Sequence, residues 1–426
     1  MLKVEKIVYN DSGNKILYNY SYDKSISKYF NPKESFFVSY NVNVQEAPES
    51  IAVIPFLANI APIAWFAGFS IELNEADKDF IEALEVIKNE FSVEYPNIDF
   101  SCSKIQVKKL IKNNYVATRS SMLFSGGVDA YATYFRHYKE NLDLITIHGA
   151  DIEIEDVNQW NRVVELNKEE ELLKKNSKHY IKSNLRTFYT HHVDLLLQDL
   201  SWWGKVQHGL ALNAVIAPLS VINGYKTNYI ASTYTKNIAI SWGSTPEIDN
   251  SIKWGNTNII HDGYELKRQD KVDLIINNTR EFNHQLNLRV CYSLLNVSVN
   301  CSKCEKCYRT MIGIILANAN PNDYGFIISY SIYDKLLDKF KKGFATKGFQ
   351  YFWSEILKKI KEDKPIFIFK NKDEEEEKML QLRNLIQLNL DNGLKKKSKL
   401  AIIKFKIQNT FPKLFNFYLK IRQRNL

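Results

Sequence analysis

The sequence predicts an α/β fold in which a parallel sheet is covered by helices. Short apolar runs typical of buried strands recur at residues 122–124, 142–149 and 229–231. Segments with the apolar spacing of amphipathic helices separate these runs, as the crossovers between parallel strands require. A Gly-Gly turn follows the first run, where α/β proteins pass from strand to helix. We therefore expect a sheet whose carboxyl edge carries the functional residues.

Length and composition indicate a globular protein of two or three domains. The chain has 426 residues, of which 45% are hydrophobic and 25% charged, and this balance excludes a disordered chain. We expect an N-terminal α+β region at residues 1–115, the parallel-sheet domain at 116–325, and a helical region with a basic tail at 326–426. Five cysteines and the lack of a signal-peptide pattern predict a reducing, cytoplasmic location.

The first 115 residues show strand and helix patterns but no recognisable chemistry. Residues 3–9 and 15–20 predict a hairpin, and residues 35–44 predict a further strand. Asn74 fits the N-cap of a helix that would bury Phe80, Leu84 and Ile87 on one face. This region would set substrate specificity, form a homodimer contact, or act only as a scaffold that covers the sheet.

Residues 51–71 contain no charged side chain, and the stretch is long enough to raise the question of a membrane span. Pro55 and Pro62 interrupt it, and acidic residues flank both of its ends. We therefore predict no membrane span. The expected structure is a buried strand, a loop and a second buried strand.

The turn after the first apolar run has the features of a phosphate-binding site. Glycines without a Cβ let the backbone approach an anion, and the N-terminus of the following helix adds partial positive charge. The alternative is an ordinary strand-to-helix turn, since the spacing of a Walker P-loop is missing. The candidate ligand-binding residues are Ser125, Gly126, Gly127, Val128 and Asp129.

Three further candidates lie where we expect strands to begin or end. Gly149 ends the second strand, and a charged amphipathic helix is predicted at residues 157–178. A third strand is expected at residues 187–193, with Asn184 and Arg186 just before it. Both side chains would lie near a bound nucleotide, or they would mark only the exposed start of a strand.

Arg268 and Lys271 are three residues apart and would share one face of a helix. Two cations at this spacing can clamp phosphate oxygens, although a solvated helix face has the same pattern.

A buried helix is also predicted within residues 202–223. Three further side chains are candidates for acid-base chemistry or for structural hydrogen bonds: His208, His261 and Asp262.

Four of the five cysteines form a C-x9-C-x2-C-x2-C pattern. Closely spaced cysteines of this kind, in a chain without a secretory signal, predict a metal site, and four thiolates favour tetrahedral structural Zn²⁺ over an iron-sulfur cluster. The fifth cysteine, Cys102, is expected to be a small buried hydrophobic residue. The predicted zinc ligands are Cys291, Cys301, Cys304 and Cys307.

The end of the chain carries most of the positive charge. Residues 394–426 contain ten Lys or Arg residues and no acidic residue, whereas the whole chain has a net charge of +9. Aromatic residues alternate with these cations, as in single-strand nucleic-acid binding. The tail would bind nucleic acid, an acidic protein or an anionic membrane surface, or would pack as a helix on the body.

Residues 125–130, Ser-Gly-Gly-Val-Asp-Ala, resemble the SGGxDS motif of the PP-loop ATP pyrophosphatases. Together with the cysteine cluster, the chain is similar to the QueC-like (7-cyano-7-deazaguanine synthase-like) branch over roughly residues 116–320. Its length resembles the enlarged QueC-like proteins of antiphage operons, such as QatC. One departure is Ala130, which stands where the family usually has serine, so that one hydroxyl contact to phosphate is lost.

The resemblance implies a Rossmann-like PP-loop domain that uses ATP, Mg²⁺ and Zn²⁺. The glycine turn and Asp129 would hold the ATP phosphates, and Arg268 and Lys271 would contact pyrophosphate. A carboxylate, 7-carboxy-7-deazaguanine or similar, would be adenylated with release of pyrophosphate. Displacement of AMP would then give an amide or nitrile, on a small amine or on a protein acceptor from the same operon in antiphage defence.

Two other functions fit the same residues. A PP-loop domain with zinc and a basic tail could modify tRNA, in which case tRNA binding would weaken with salt and with removal of residues 394–426. The missing hydroxyl at Ala130 could instead mark a nucleotide-binding module without turnover. Sugar-amidating PP-loop enzymes of polysaccharide clusters are a weaker enzymatic alternative.

Overall fold

The computed structural model describes residues 1–388 and residue 405, except residues 198, 292–298, 342–346 and 361–364. Its strands are β1 Leu2–Asn10, β2 Lys15–Tyr22, β3 Phe37–Tyr40, β4 Ile71–Asp77, β5 Ile105–Ile111, β6 Arg119–Leu123, β7 Asp143–His148, β8 Lys178–Ser183, β9 Tyr225–Ala231, β10 Lys253–Trp254 and β11 Thr257–Asp262. The basic tail predicted at residues 394–426 falls outside the described residues, apart from Phe405.

The described helices cover both faces of the sheet formed by these strands. They are α1 Glu49–Ala52, α2 Ile54–Ala67, α3 Lys78–Glu94, α4 Val128–Arg136, α5 Val157–Glu169, α6 His208–Ala214, α7 Ala217–Asn223, α8 Pro246–Asp249, α9 Arg268–Glu281, α10 Glu305–Leu316, α11 Ile332–Lys341, α12 Lys347–Leu357 and α13 Lys372–Leu388. A short π-helix, Trp203–Gln207, leads into α6.

The described strands form one mixed, mostly parallel sheet of eleven strands in the order β10-β11-β9-β6-β7-β8-β3-β2-β1-β4-β5. The predicted α/β class is therefore confirmed. The hairpin predicted near the N-terminus is the antiparallel pair β1 and β2. Strand β3 joins this hairpin to the parallel strands by pairing antiparallel with β8. The boundaries of the three predicted domains stay predictions.

Alternating side chains place one hydrophobic core on each face of the sheet. In β7, Leu144 and Ile145 point to opposite faces, as successive residues of a strand must. Ile145 packs in a core formed with helices α2, α3, α6 and α7. Leu144 packs in a second core with α4, α9, α10 and the C-terminal helices. The second core therefore places helices α9 and α10 beside the glycine turn.

The prediction of two strands within residues 51–71 is wrong. Most of this stretch forms α1 and α2, and only its end enters β4. Pro55 occupies the first turn of α2, where a missing N–H costs nothing, and four alanines favour the helix. Every residue from Ile54 to Phe66 is buried, so the absence of charge reflects a fully buried helix.

One helical segment, Trp203–Asn223, has the length and hydropathy of a membrane-spanning helix. However, 72% of its most apolar stretch of 18 residues is buried within the protein, and the segment runs through the core where a buried helix was predicted at residues 202–223. The neighbouring helix α2 is too short for a span. Among the described residues, this apolar segment therefore has the packing of a core helix.

Three local predictions need correction. The N-cap of α3 is Asp77, whose side chain accepts a hydrogen bond from the backbone N–H of Phe80, whereas Asn74 lies within strand β4. The third parallel strand is Lys178–Ser183, so the helix predicted at 157–178 ends early at Glu169, and residues 187–193 are irregular. Cys102 is exposed and bonds to Asp99.

Candidate functional site

The glycine turn lies where the strand order of the sheet reverses. From β6 the chain proceeds outward through β7 and β8, and it then returns to form β9 on the other side of β6. In open parallel sheets, ligands bind outside the carboxyl ends of the strands at this reversal. The turn at Ser125–Gly127 follows β6 directly, so it occupies this position.

The backbone of the turn requires glycine. Gly126 has φ +74°, in the left-handed region, and a Cβ on Gly127 would lie 3.3 Å from the carbonyl oxygen of Arg289. Gly127 is also the N-cap of α4, and no side chain caps this helix. The first N–H groups of α4 and its positive dipole end therefore face the cleft without a side-chain partner, as in anion sites.

Asp129 brings together the three residues predicted to act in catalysis. Its Oδ2 atom accepts a hydrogen bond from Nη1 of Arg268 at 2.9 Å, and its Oδ1 atom lies 3.1 Å from Nζ of Lys271. Burial raises the pKa of Asp129, but Lys271 and Arg268 outweigh burial and hold the pKa at about 2. The carboxylate is therefore ionised, and the solvated-helix alternative for the two cations is excluded.

Three more cations surround the same carboxylate, and the sequence analysis did not predict them. Arg289, Lys306 and Arg309 line a cavity of about 80 Å³ together with Ser125, Asp129 and Arg268. Arg289 is anchored by its backbone N–H to the carbonyl of Gly126 at 2.7 Å. We call Arg268, Lys271, Arg289, Lys306 and Arg309 the cationic cluster. Asp129 is the one carboxylate that lines this cavity among the described residues.

Several donors of the cationic cluster lack hydrogen-bond partners although they are buried. These are Nε of Arg268, Nη2 of Arg289, and Nε and Nη1 of Arg309. An unpaired donor of a buried cation is costly, and it normally finds an acceptor. The cluster therefore has the composition of a site for an anion with several oxygen atoms, such as a phosphate or pyrophosphate.

A second, more apolar cavity of about 140 Å³ adjoins the cationic one. It shares Ser125, Asp129 and Arg289 with the first cavity and continues between the ends of β7 and β9. Ala130 and His208 lie in its wall, and burial lowers the pKa of His208. An apolar cavity next to a cationic one can accept a molecule with a planar apolar part and an anionic part.

An arc of five aromatic rings connects the two cavities, because His208 lines one of them and Phe352 lines the other. Consecutive ring centroids are 5.2 to 5.4 Å apart, in the order Trp203, His208, Trp242, Tyr234 and Phe352. Arg186 lies 4.7 Å from the ring of Trp203 at one end, and Arg309 lies 4.1 Å from the ring of Phe352 at the other. We call these five rings the aromatic arc. The two rings that line a cavity, His208 and Phe352, can contact a planar substrate there.

The remaining candidates lie beside the cavities rather than in them. Gly149 has φ +104° at the end of β7, and a Cβ there would lie 1.8 Å from the carbonyl oxygen of Ser183. Arg186 donates to the carbonyl of Ala150 at 2.9 Å. Asn184 bonds to the backbone of Ser35 and Phe37. These contacts join neighbouring strand ends and support the rim of the site.

The two other candidate acid-base groups are held in structural contacts. Nδ1 of His261 lies 2.7 Å from Oδ2 of Asp249, and both side chains are almost fully buried. Asp262 bonds to Thr133 at 2.7 Å and to Arg136 at 3.1 Å. Both groups therefore brace strand β11 behind the cleft.

The four predicted zinc ligands form one cluster. Their Sγ atoms all lie within 4.8 Å of one another, and three measured separations are 3.5 to 3.9 Å. Tetrahedral Zn²⁺ with bonds of about 2.3 Å places its sulfurs about 3.8 Å apart. The hydrogen bond with Cys307 lowers the pKa of the Cys304 thiol. The cluster can therefore bind a metal ion such as Zn²⁺.

The cysteine cluster joins the two segments that carry the newly found cations. Cys291 lies two residues after Arg289, and Cys304 and Cys307 begin helix α10, which carries Lys306 and Arg309. Asn300 strengthens this junction, because its side chain accepts from the N–H of Val290 at 3.0 Å. A metal ion held by the four thiolates would therefore fix three members of the cationic cluster.

Comparisons of the chain with protein-family models, curated proteins and solved structures find no match in any of the three. Its function is therefore inferred from the residues of the site.

Proposed function

We propose that this chain is a QueC-like, ATP-dependent C–N ligase that adenylates a carboxylate, 7-carboxy-7-deazaguanine or a similar planar acid. The single observation that carries the proposal is the cationic cluster, which surrounds Asp129 and the uncapped N-terminus of α4 at the reversal of strand order. An adjoining apolar cavity gives the adenine ring a place beside the phosphates. The PP-loop-like motif of residues 125–130 supports the same interpretation.

The arrangement favours binding of a triphosphate. The α4 N-terminus would hold phosphate oxygens through backbone N–H groups, while Arg309 and Arg289 would supply their unpaired donors. Ala130, at the wall of the apolar cavity, offers no hydroxyl there. In this proposal, the cationic cluster compensates for that lost contact with several charge-assisted hydrogen bonds.

In the proposed reaction, a carboxylate oxygen attacks the α-phosphorus of ATP, and the bond from that phosphorus to the bridging oxygen of pyrophosphate breaks. Negative charge grows on the leaving pyrophosphate, and the cationic cluster would stabilise it. An amine or ammonia then attacks the acyl carbon, AMP leaves, and the amine loses a proton. To form the nitrile, the oxygen of a primary amide would attack the α-phosphorus of a second ATP with release of pyrophosphate; AMP then leaves with that oxygen, and the nitrogen loses two protons.

The residues also fit the two proposed ions. Asp129 is ionised and 27% exposed toward the cavities, so it would hold Mg²⁺, which shields phosphate charge when bound. The four cysteines would hold a structural Zn²⁺, because four thiolates fill its tetrahedral shell. Zinc would then contribute by fixing the positions of Arg289, Lys306 and Arg309 rather than by contacting the substrate.

Product analysis tests this proposal. Wild type and Asp129→Ala would be incubated with Mg-ATP and 7-carboxy-7-deazaguanine, with and without ammonia, and the products identified by mass spectrometry. We expect AMP, pyrophosphate and an amide or nitrile from the wild type alone; a mass increase on added protein would identify a protein acceptor. Tight ATP binding without AMP formation for any carboxylate would favour a nucleotide-binding module instead.

A further inference from the structure

Helix α12 belongs to the C-terminal region that follows the proposed catalytic domain, yet it closes one side of the cationic cavity. Its residue Phe352 lines that cavity together with Arg268, Arg289 and Arg309. We propose that Phe352 is a positioning residue, which holds the guanidinium of Arg309 in place for pyrophosphate. This inference rests on the proposed function, and it assigns the C-terminal region a part in the phosphate site.

Arg309 depends on the ring of Phe352 because polar groups contact only part of the Arg309 guanidinium. Its carbon Cζ lies 4.1 Å from the ring centroid of Phe352, which is the geometry of a cation–π contact. Among the residues that the structure describes, its ion-pair partner is Glu305, whose Oε1 lies 3.5 Å from Nε. Both Nε and Nη1 lack a hydrogen-bond partner although the side chain is only 4% exposed. The aromatic face attracts the cation without occupying its donors, so Nη1 stays available to an anion, whereas Nε faces the carboxylate of Glu305.

Phe352 is itself held by contacts on both sides. Its ring stacks on Tyr234 with centroids 5.2 Å apart and planes inclined by 12°. The neighbouring Tyr351 shares a hydrogen bond with Thr235 at 2.5 Å. These contacts fix the N-terminal half of α12 to the loop after β9, so the ring has a defined place over Arg309.

Ion pairs fix the C-terminal half of α12 and the turn after it to the helix that carries Arg268 and Lys271. Lys267 forms an ion pair with Glu355, and Lys359 lies 2.9 Å from Asp270. Helix α12 is therefore attached both to the loop after β9 and to the start of α9. The same helix positions the ring and packs beside two other members of the cationic cluster.

The ring rather than the bulk of Phe352 is what the inference requires. Leucine fills much of the same volume, but it has no π face to attract a guanidinium. Tyrosine retains the ring and its face. We therefore expect Phe352→Leu to weaken the affinity for inorganic pyrophosphate about tenfold, and Phe352→Tyr to retain wild-type affinity.

The experiment is isothermal titration of inorganic pyrophosphate into the full chain, with wild type, Phe352→Leu, Phe352→Tyr and Phe340→Leu. Phe340 is the matched control, because it is a buried phenylalanine of the same helical region whose ring packs on Trp353, 4.9 Å away, outside the cavity. Thermal unfolding of each variant separates loss of stability from loss of binding. We expect Phe340→Leu to lower the unfolding temperature without changing the affinity.

Two results would overturn the inference. Equal pyrophosphate affinity in the wild type and Phe352→Leu would remove the positioning role and leave the proposed function intact. No binding of pyrophosphate or of Mg-ATP by the folded wild type would reject both together. A tenfold loss in Phe352→Leu that Phe352→Tyr restores and Phe340→Leu lacks would support the inference.

Discussion

Asp129 balances the repulsion among the five cations of the cluster. It contacts Arg268 and Lys271 directly and is ionised, with its pKa held at about 2. Removing its charge leaves these cations without their counter-ion while their positions stay supported by Thr310 and by the carbonyl of Ser232. Asp129 is therefore a competitor of any anion in the cavity as well as a candidate metal ligand.

We expect Asp129→Asn to bind metal-free pyrophosphate about tenfold more tightly than the wild type, because the like-charge repulsion between carboxylate and anion is gone. Turnover with Mg-ATP should fall at least 100-fold, because the described lining of the cationic cavity then has no carboxylate to hold Mg²⁺. Calorimetry in EDTA measures the affinity for metal-free pyrophosphate, and a pyrophosphate-release assay measures the turnover of Mg-ATP. The control is Asp23→Asn, at an exposed site far along the sheet, which should change neither the pyrophosphate affinity nor the turnover. Weaker binding of metal-free pyrophosphate by Asp129→Asn would contradict the account.

The close approach at Gly149 predicts a large loss of stability. A Cβ there meets the carbonyl oxygen of Ser183 at 1.8 Å and adds strain at φ +104°, so Gly149→Ala should lower the free energy of unfolding by about 2–4 kcal/mol. Gly68 also has a positive φ, of +73°, but no atom within 4 Å of its Cβ position. Gly68→Ala should therefore cost only about 1–2 kcal/mol, and urea unfolding that shows equal losses would disprove the steric argument.

The sequence predicted the residues that carry local signals and missed those that do not. Asp129 stands in a motif, and Arg268 and Lys271 share a helical face, so their association could be anticipated. Arg289 lies in an irregular segment and reaches the site through its bonds to the carbonyls of Gly126 and Ser125. Phe352 comes from a helix more than 220 residues after the glycine turn. Long-range packing of this kind leaves no periodic pattern in the sequence.

At the scale of elements, the cysteine cluster connects the segment of Arg289 to helix α10. We expect the chain to contain about one Zn²⁺, and removal of the ion to weaken pyrophosphate binding, because three cations lose their fixed positions. Elemental analysis measures the zinc content, and calorimetry after chelation measures the change in pyrophosphate affinity. Cys304→Ser should lose zinc, whereas Cys102→Ser, at an exposed cysteine outside the cluster, should retain it. Full pyrophosphate affinity in a folded, zinc-free chain would contradict this role.

The start of helix α3 gives a second test at this scale. Asp77 is fully buried and accepts from the N–H of Phe80, from Asn113 and from the N–H of Gly255. Asp77→Ala leaves these donors unpaired and should cost about 2–4 kcal/mol of unfolding free energy. Asn74→Ala, at the exposed position that the sequence suggested as the cap, should cost under about 0.5 kcal/mol. Chemical denaturation compares the two, and a larger loss at Asn74 would contradict the assignment.

The errors at this scale have physical causes. Helix α2 is buried on all sides, so it lacks the amphipathic spacing that distinguishes helix from strand, and its prolines suggested a break. Residues 187–193 are partly apolar, and this pattern favours a third parallel strand after residue 186. In the structure, Phe188 and Tyr189 pack in the core from an irregular segment. Packing against elements that are distant in the sequence therefore determined the structure of α2 and of residues 187–193, and the local sequence patterns did not.

At the scale of the whole molecule, one sheet connects the N-terminal strands with the proposed site. The sequence anticipated the α/β class, the N-terminal hairpin and the parallel strands around the glycine turn. It could not show that β3 pairs with β8, because the two strands are more than 130 residues apart. This pairing places the N-terminal helices α2 and α3 on the same sheet face as α6 and α7. The N-terminal region therefore supports the face opposite the cationic cluster.

Carboxylate-dependent exchange of labelled pyrophosphate into ATP tests the central claim most directly, because exchange requires reversible formation of an acyl adenylate at the cationic cluster. The assay would use Mg-ATP with 7-carboxy-7-deazaguanine, comparing the wild type with Arg309→Ala and with Arg280→Ala, whose arginine binds carbonyls of residues 317 and 318 outside the cavity. We expect exchange in the wild type and in Arg280→Ala, and a loss of at least tenfold in Arg309→Ala. Equal exchange in all three proteins, or none with any carboxylate while ATP still binds, would contradict the account.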